Sequence, residues 1–89
     1  MTSMITKAAE RFSETTIDAE TVVMNLDSGD FFSLSGTAQA IWLLIDDRRD
    51  RAELVAALAE QYGVTADIIA GEVDAFLAQL VRADLIRLG

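Results

Sequence analysis

The side chains that could do chemistry in this 89-residue chain are mostly carboxylates, because the sequence contains no cysteine and no histidine. Without a thiol or an imidazole, the chain cannot build a soft-ligand zinc site, a nucleophile paired with histidine or a histidine general base. We therefore predict that the protein is not an enzyme, and that it has no catalytic residues and no cofactor.

One short acidic motif, Asp27-Ser28-Gly29-Asp30, could in principle hold a hard metal ion. It lacks the oxygen ligands at alternate positions and the distal glutamate of a calcium-binding loop. Asp, Ser and Gly are also the residues that tight turns favour. We interpret this motif as a structural turn and predict no metal site.

The charge of the chain restricts its partners. Fifteen acidic residues against seven basic ones give a formal net charge of -8. This charge opposes binding to phosphate backbones and to anionic membranes. The sequence also lacks the roughly 20-residue apolar run of a membrane span and the apolar core of a signal peptide. We expect a cytoplasmic protein that binds neither nucleic acid nor membrane.

The pattern before Gly36 is typical of strands. Alternation over residues 21–26 places Val22, Met24 and Leu26 on one face, and residues 30–34 return as the partner strand after the glycine turn. Together these two segments predict a β-hairpin.

The start of the chain has weaker signals. Residues 11–17 could form a third strand, although their alternation is imperfect. Residues 1–10 are predicted to be a flexible N-terminus, so that a single domain covers residues 11–89.

Three helical patterns follow Gly36, and each has a recognisable start. Their predicted N-caps are Thr37, Asp50 and Thr65. Glu53 completes a capping box with Asp50, and Gly63 ends the second helix. The third helix is expected to run to about residue 83, before a short terminal strand over residues 85–88.

This order of elements predicts an α+β fold, with a three-stranded antiparallel sheet followed by three helices, as in a winged helix-turn-helix. A sheet packed on helices in another order is the alternative. A winged helix raises DNA binding first, but the third helix carries Asp67, Glu72 and Asp74, and its only basic residue, Arg82, lies in the last turn. Repulsion from phosphate disfavours a DNA-binding regulator.

Two features indicate a binding surface instead. On the predicted strand over residues 30–34, alternation turns Phe32 and Leu34 toward the core and Phe31 and Ser33 away from it. On the third helix, a second stripe lies beside the first core-facing one; it consists of Ala70, Val73, Asp74, Leu77 and Val81.

If that stripe lies next to the strand, the two form a groove in which an extended peptide could add as a further strand. The alternative is a broad stripe that serves only the core.

Three runs carry a resemblance to a known family: DSGDFFSLSGTAQAIW over residues 27–42, LVAALAEQYG over residues 54–63, and EVDAFLAQLVRADLI over residues 72–86. In their order and spacing the chain resembles the PqqD-like proteins, also called RiPP recognition elements, over residues 12 to 88. Members devoted to pyrroloquinoline quinone synthesis usually carry a proline-containing segment in the hairpin region, and this chain has no proline. The compact hairpin looks more like the stand-alone elements of lasso-peptide and related clusters.

The resemblance implies a non-catalytic module that binds the leader segment of a precursor peptide by strand addition. The module brings that precursor to a modifying enzyme such as a leader protease, a cyclase or a radical enzyme. Carried onto this chain, the binding residues are the strand residues Asp30, Phe31, Phe32, Ser33 and Leu34, and the second helix stripe.

An acidic structural subunit or a protein–protein adaptor is the competing interpretation. A monomer and a homodimer both remain open, because an edge strand that accepts a peptide can also pair with another copy.

Overall fold

A three-stranded sheet packed on three helices forms the core of the computed structural model, which describes residues 4–88. The strands β2 (Phe12–Ile17), β3 (Glu20–Asn25) and β4 (Phe31–Ser35) are antiparallel and lie in that order across the sheet. The helices α1 (Gly36–Leu44), α2 (Arg51–Tyr62) and α3 (Ala66–Arg82) follow. The predicted α+β fold, including its uncertain third strand, is confirmed. No helix within the described residues is long and apolar enough to cross a membrane.

The two faces of the sheet differ in burial, because side chains alternate along each strand. On β3, Thr21, Val23 and Asn25 are buried beneath the helices. Val22 and Met24 occupy the opposite face, where Met24 is 39% exposed. We call the first face the inner face and the second the outer face of the sheet.

Helix α1 is held on the inner face by Trp42, which is fully buried. Its indole N–H donates a hydrogen bond to the carboxylate of Glu14 on β2. The ring of Phe12 packs edge-on against the indole at 5.2 Å between centroids, and Lys7 Nζ lies 4.2 Å from the ring centroid on a face of the indole. Each contact uses the side of an aromatic ring that favours it electrostatically.

The start of α2 has the predicted capping box. The Asp50 carboxylate accepts from the Glu53 backbone N–H at 2.8 Å, and the Glu53 carboxylate accepts from the Asp50 backbone N–H at 3.1 Å. Gly63 ends α2 in the left-handed conformation at a φ of 65°, as predicted.

The junction between β4 and α1 is abrupt. The helix begins at Gly36, one residue before the predicted N-cap Thr37, and Ser35 occupies the cap position without a side-chain cap hydrogen bond. Gly36 has a φ of 59°, which is open to glycine and costly for other residues, so the chain passes from strand to helix without a linker.

The N-terminal segment differs from the flexible stretch predicted over residues 1–10. Strand β1 (Ile5–Lys7) pairs antiparallel with β5 (Ile86–Leu88), which is the predicted terminal strand. Ile5 is 2% exposed and Ala8 is 1% exposed, so this segment belongs to the core of the domain. A three-residue strand is too short to show alternation in the sequence. Residues 1–3 lie outside the described residues.

Asn25 connects the β3–β4 loop to the end of α3. Its side-chain N–H donates to the backbone carbonyl of Ala83 at 2.8 Å. Its side-chain oxygen accepts from the backbone N–H groups of Asp27 at 2.8 Å and Ser28 at 3.1 Å. One buried side chain therefore fixes the loop and sets the position of β4 relative to α3.

We predict that Asn25→Ala lowers the free energy of unfolding by about 2 kcal/mol, because it leaves buried backbone groups without partners. The measurement is urea unfolding followed by the fluorescence of Trp42, the single tryptophan. Ser28→Ala is the control, since it removes only an exposed hydrogen bond from the Asp30 backbone N–H. We expect it to change stability by less than about 0.5 kcal/mol. Equal stability of Asn25→Ala and the parent protein would contradict the role of Asn25.

Candidate functional site

Strand β4 presents a free edge, because β3 pairs with it on one side only among the described strands. The Asn25 backbone N–H donates to the Asp30 carbonyl at 2.7 Å, which makes these two residues a hydrogen-bonded pair. Since bonded and non-bonded pairs alternate in an antiparallel ladder, Phe31 and Ser33 belong to non-bonded pairs. Their backbone N–H and carbonyl groups therefore point to the free edge.

The side chains of β4 divide as the sequence predicts. Leu34 is 5% exposed and Phe32 is half-buried against the core, so both lie on the inner face. Phe31 is 71% exposed and lies, with Ser33, on the outer face. Asp30 is in the loop before the strand and is exposed.

A cleft between α1 and α3 opens close to the end of β4. Its volume is about 240 Å³, and it is lined by Thr37, Ala38 and Ile41 of α1 and by Glu72, Ala75, Phe76 and Gln79 of α3. The α1 wall begins two residues after Ser35, the last residue of β4. We call this the α1–α3 cleft. It offers an apolar floor at Ile41 and Phe76 and polar side chains at its mouth.

A larger groove of about 720 Å³ lies along another side of α3. It is lined by Ile5 and Leu88 of the terminal strands, by Asp50, Arg51 and Ala52 at the start of α2, and by Asp74, Leu77, Ala78, Val81 and Arg82 of α3. We call this the α2–α3 groove. No residue of β4 lines it.

The predicted helix stripe divides between the core and this groove. Val73 is fully buried, Leu77 is 6% exposed and Ala70 is half-buried in the core. The remaining two, Asp74 and Val81, are exposed along the α2–α3 groove. The structure therefore does not bring the stripe and β4 together in one cleft.

The α3 residues nearest to the β4–α1 junction are Glu72, Ala75, Phe76 and Gln79. They recur at helical spacing, but two of them are polar, so a search for an apolar stripe passes over them. A helix turns about 100° per residue, which places Phe76 roughly 160° away from Asp74 around the axis. The signal that could have found this face is its mixture of one aromatic with polar residues beside a wide core stripe.

The charged rim of the α2–α3 groove contains a two-point ion pair. Arg51 Nη2 lies 2.9 Å from Asp74 Oδ2, and Arg51 Nε donates to Asp74 Oδ1. Hydrogen bonding to the Arg51 guanidinium, with its positive charge, holds the pKa of the Asp74 carboxyl below its usual value. Both side chains are about half exposed, so the pair contributes little to stability. Within residues 4–88, Arg82 on the same rim makes no ion pair.

Metal-ligating side chains are scattered. Among the residues that the structure describes, no three or more acidic side chains gather closely enough to hold a metal ion.

Comparisons with known proteins give one family and one solved structure. The family model of coenzyme PQQ synthesis protein D (PqqD) matches residues 20–86. The structure of TbiB1 in complex with the TbiA(beta) leader peptide superposes with a TM-score of 0.82 at 24% sequence identity, covering 92% of this chain and 94% of that chain. This likeness establishes a shared fold. A search of curated proteins found no match.

We predict that Arg51→Ala raises the pKa of the Asp74 carboxyl, because the substitution removes both hydrogen bonds that favour the ionised form. The measurement is an NMR titration of the Asp74 side-chain carbon. Arg82→Ala is the matched control: it removes a cation from the same groove rim without touching Asp74, and we expect a much smaller shift. Equal shifts in the two variants would show that Asp74 responds to general charge rather than to its partner.

Proposed function

Since this chain belongs to the family of coenzyme PQQ synthesis protein D, we propose that it binds the leader segment of a ribosomally synthesised precursor peptide and presents it to a modifying enzyme. The protein itself performs no chemistry. Precursors are made on ribosomes, which places the proposed encounter in the cytoplasm. The observation that carries the proposal is the free edge of β4, which leads directly into α1 beside the α1–α3 cleft.

The edge supplies main-chain recognition. The backbone groups of Phe31 and Ser33 point away from β3, so an extended peptide can bond to them as a fourth strand. Main-chain pairing contributes affinity without demanding a particular leader sequence. The solved TbiB1 complex, which shares this fold, contains a leader peptide and adds weight to this reading.

The α1–α3 cleft supplies side-chain recognition. A peptide paired with β4 turns alternate side chains to the inner face, where Ile41 and Phe76 form an apolar floor. We expect the leader to carry an apolar residue at that position. The proposed site therefore consists of Asp30 to Leu34 with the α1–α3 cleft, while the predicted stripe residues Asp74, Leu77 and Val81 form the competing location at the α2–α3 groove.

The proposed partners of the loaded module are a leader protease, a cyclase or a radical enzyme. The biosynthesis of a lasso peptide, of a related peptide or of pyrroloquinoline quinone fits this role. In each case the module raises the local concentration of a precursor at the enzyme, which needs no reactive group on the module.

The first test uses proline to remove one edge donor. Leader peptide encoded beside this gene, carrying a fluorophore, is titrated with the protein and followed by anisotropy. Ser33→Pro removes a backbone N–H that points to the free edge of β4 and leaves the β3–β4 ladder intact. We expect affinity to fall at least tenfold, about 1.4 kcal/mol.

Thr16→Pro is the matched control, because Leu26 donates to the Arg11 carbonyl, and the same alternation places the Thr16 N–H on the free edge of β2. We expect this variant to bind the leader like the parent protein. Loss of binding in Thr16→Pro alone would move the peptide to β2. Unchanged binding in both variants would rule out strand addition.

The second test separates the two clefts along α3 with two exposed alanines. Ala75→Glu places a carboxylate in the α1–α3 cleft, and Ala78→Glu makes the same change in the α2–α3 groove. We expect Ala75→Glu to weaken leader binding at least tenfold and Ala78→Glu to change it less than twofold, by anisotropy. The reverse order would place the leader against Leu77 and Val81.

A further inference from the structure

The outer face of the sheet carries an exposed apolar patch. Phe31 on β4 is 71% exposed and lies directly opposite Met24 on β3, which is 39% exposed. Val22 lies two residues before Met24 on the same face, and Leu26, 54% exposed, lies two residues after it. We call these four residues the outer patch. The helices lie against the inner face and leave it open to solvent.

Single apolar residues on a protein surface are ordinary, but a contiguous cluster marks an interaction surface. The outer patch is contiguous, because a directly opposed pair in an antiparallel sheet brings two side chains within contact. Phe31 is also the most exposed of the large apolar side chains among the described residues. Its exposure serves no packing role within the chain.

The charge around the patch identifies the kind of partner. Residues 12–35, which span the whole sheet, contain no lysine or arginine and five acidic residues: Glu14, Asp18, Glu20, Asp27 and Asp30. The nearby cation Arg11 is paired with Asp27 at 3.3 Å. A second copy of this chain would bring two acidic sheets together, and their repulsion disfavours that pairing. The complementary surface is an apolar centre rimmed by lysine or arginine.

The patch is continuous with the proposed peptide edge. Phe31 and Ser33 direct their backbone groups to the free edge and their side chains to the outer face. A peptide residue paired directly with Phe31 therefore has its own side chain on the outer face, next to the patch. Strand addition enlarges the surface that an incoming protein meets.

We propose that the outer patch is the docking surface for the modifying enzyme, which binds through a basic-rimmed apolar surface and contacts the outward side chains of the bound leader. This inference rests on the proposed function. Because the leader completes the surface, the enzyme binds the loaded module more tightly than the empty one. One set of leader side chains then serves the α1–α3 cleft, and the alternate set serves the enzyme.

The test measures enzyme binding and leader binding on the same variants. The maturation enzyme encoded beside the precursor gene is immobilised, and the protein is applied with and without saturating leader in biolayer interferometry. Met24→Glu changes the centre of the patch on β3, away from the peptide edge. We expect it to weaken enzyme binding at least tenfold, while leader affinity stays within twofold.

Ile68→Glu is the matched control, because Ile68 is 68% exposed on α3 and receives the same change in polarity and charge. We expect it to leave enzyme binding unchanged. Binding of the parent protein should strengthen on addition of leader and weaken as salt is raised from about 50 to 300 mM, since screening acts on the acidic frame.

The two hypotheses fail in different ways. No leader binding by the folded parent protein would end the proposed function itself. Intact leader binding with an enzyme that ignores Met24→Glu, does not bind, or binds loaded and empty forms equally would overturn the docking inference alone. Sedimentation that shows a dimer, dissolved by Met24→Glu, would assign the patch to a second copy and would also overturn it.

Discussion

The burial of Trp42 is the contact on which the arrangement of the molecule depends. The indole fixes α1 against the inner face through Phe12 and Glu14 on β2, and the short segment that carries Lys7 closes over its other side. Because β4 runs into α1 without a linker, holding α1 also holds the direction of β4. The free edge and the α1–α3 cleft thus share one rigid support, which lowers the entropic cost of ordering a site for an extended ligand.

The sequence predicted most of this fold because its local signals agree with its packing. The Asp50–Glu53 capping box, the Gly63 helix end and the β-turn glycine each act within a few residues. The pairing of β1 with β5 could not be predicted in that way, since two three-residue strands meet from opposite ends of the chain. Long-range partners of short strands have no local pattern to reveal them.

The candidate site was only half visible in the sequence, and the reason is geometric. Alternation along one strand assigns Phe31 and Phe32 to opposite faces without further information. A helix offers several faces, and hydrophobicity marks the one that packs in the core. Val73 and Leu77 are apolar because they are buried, whereas Gln79 lies in a cleft that its polarity does not advertise. The choice between faces of α3 depends on where α1 lies, and only tertiary structure gives that.

The acidity of the sheet has a consequence for the protein in isolation. Both β2 and β4 leave an edge unpaired among the described strands, and such edges invite copies to join into aggregates. Many proteins block open edges with proline, which this chain lacks. Carboxylates on and around the strands keep copies apart by mutual repulsion instead. Near the isoelectric point of about 4.2 that repulsion disappears, so the edge that stays available for a ligand at neutral pH becomes a hazard for colloidal stability in acid.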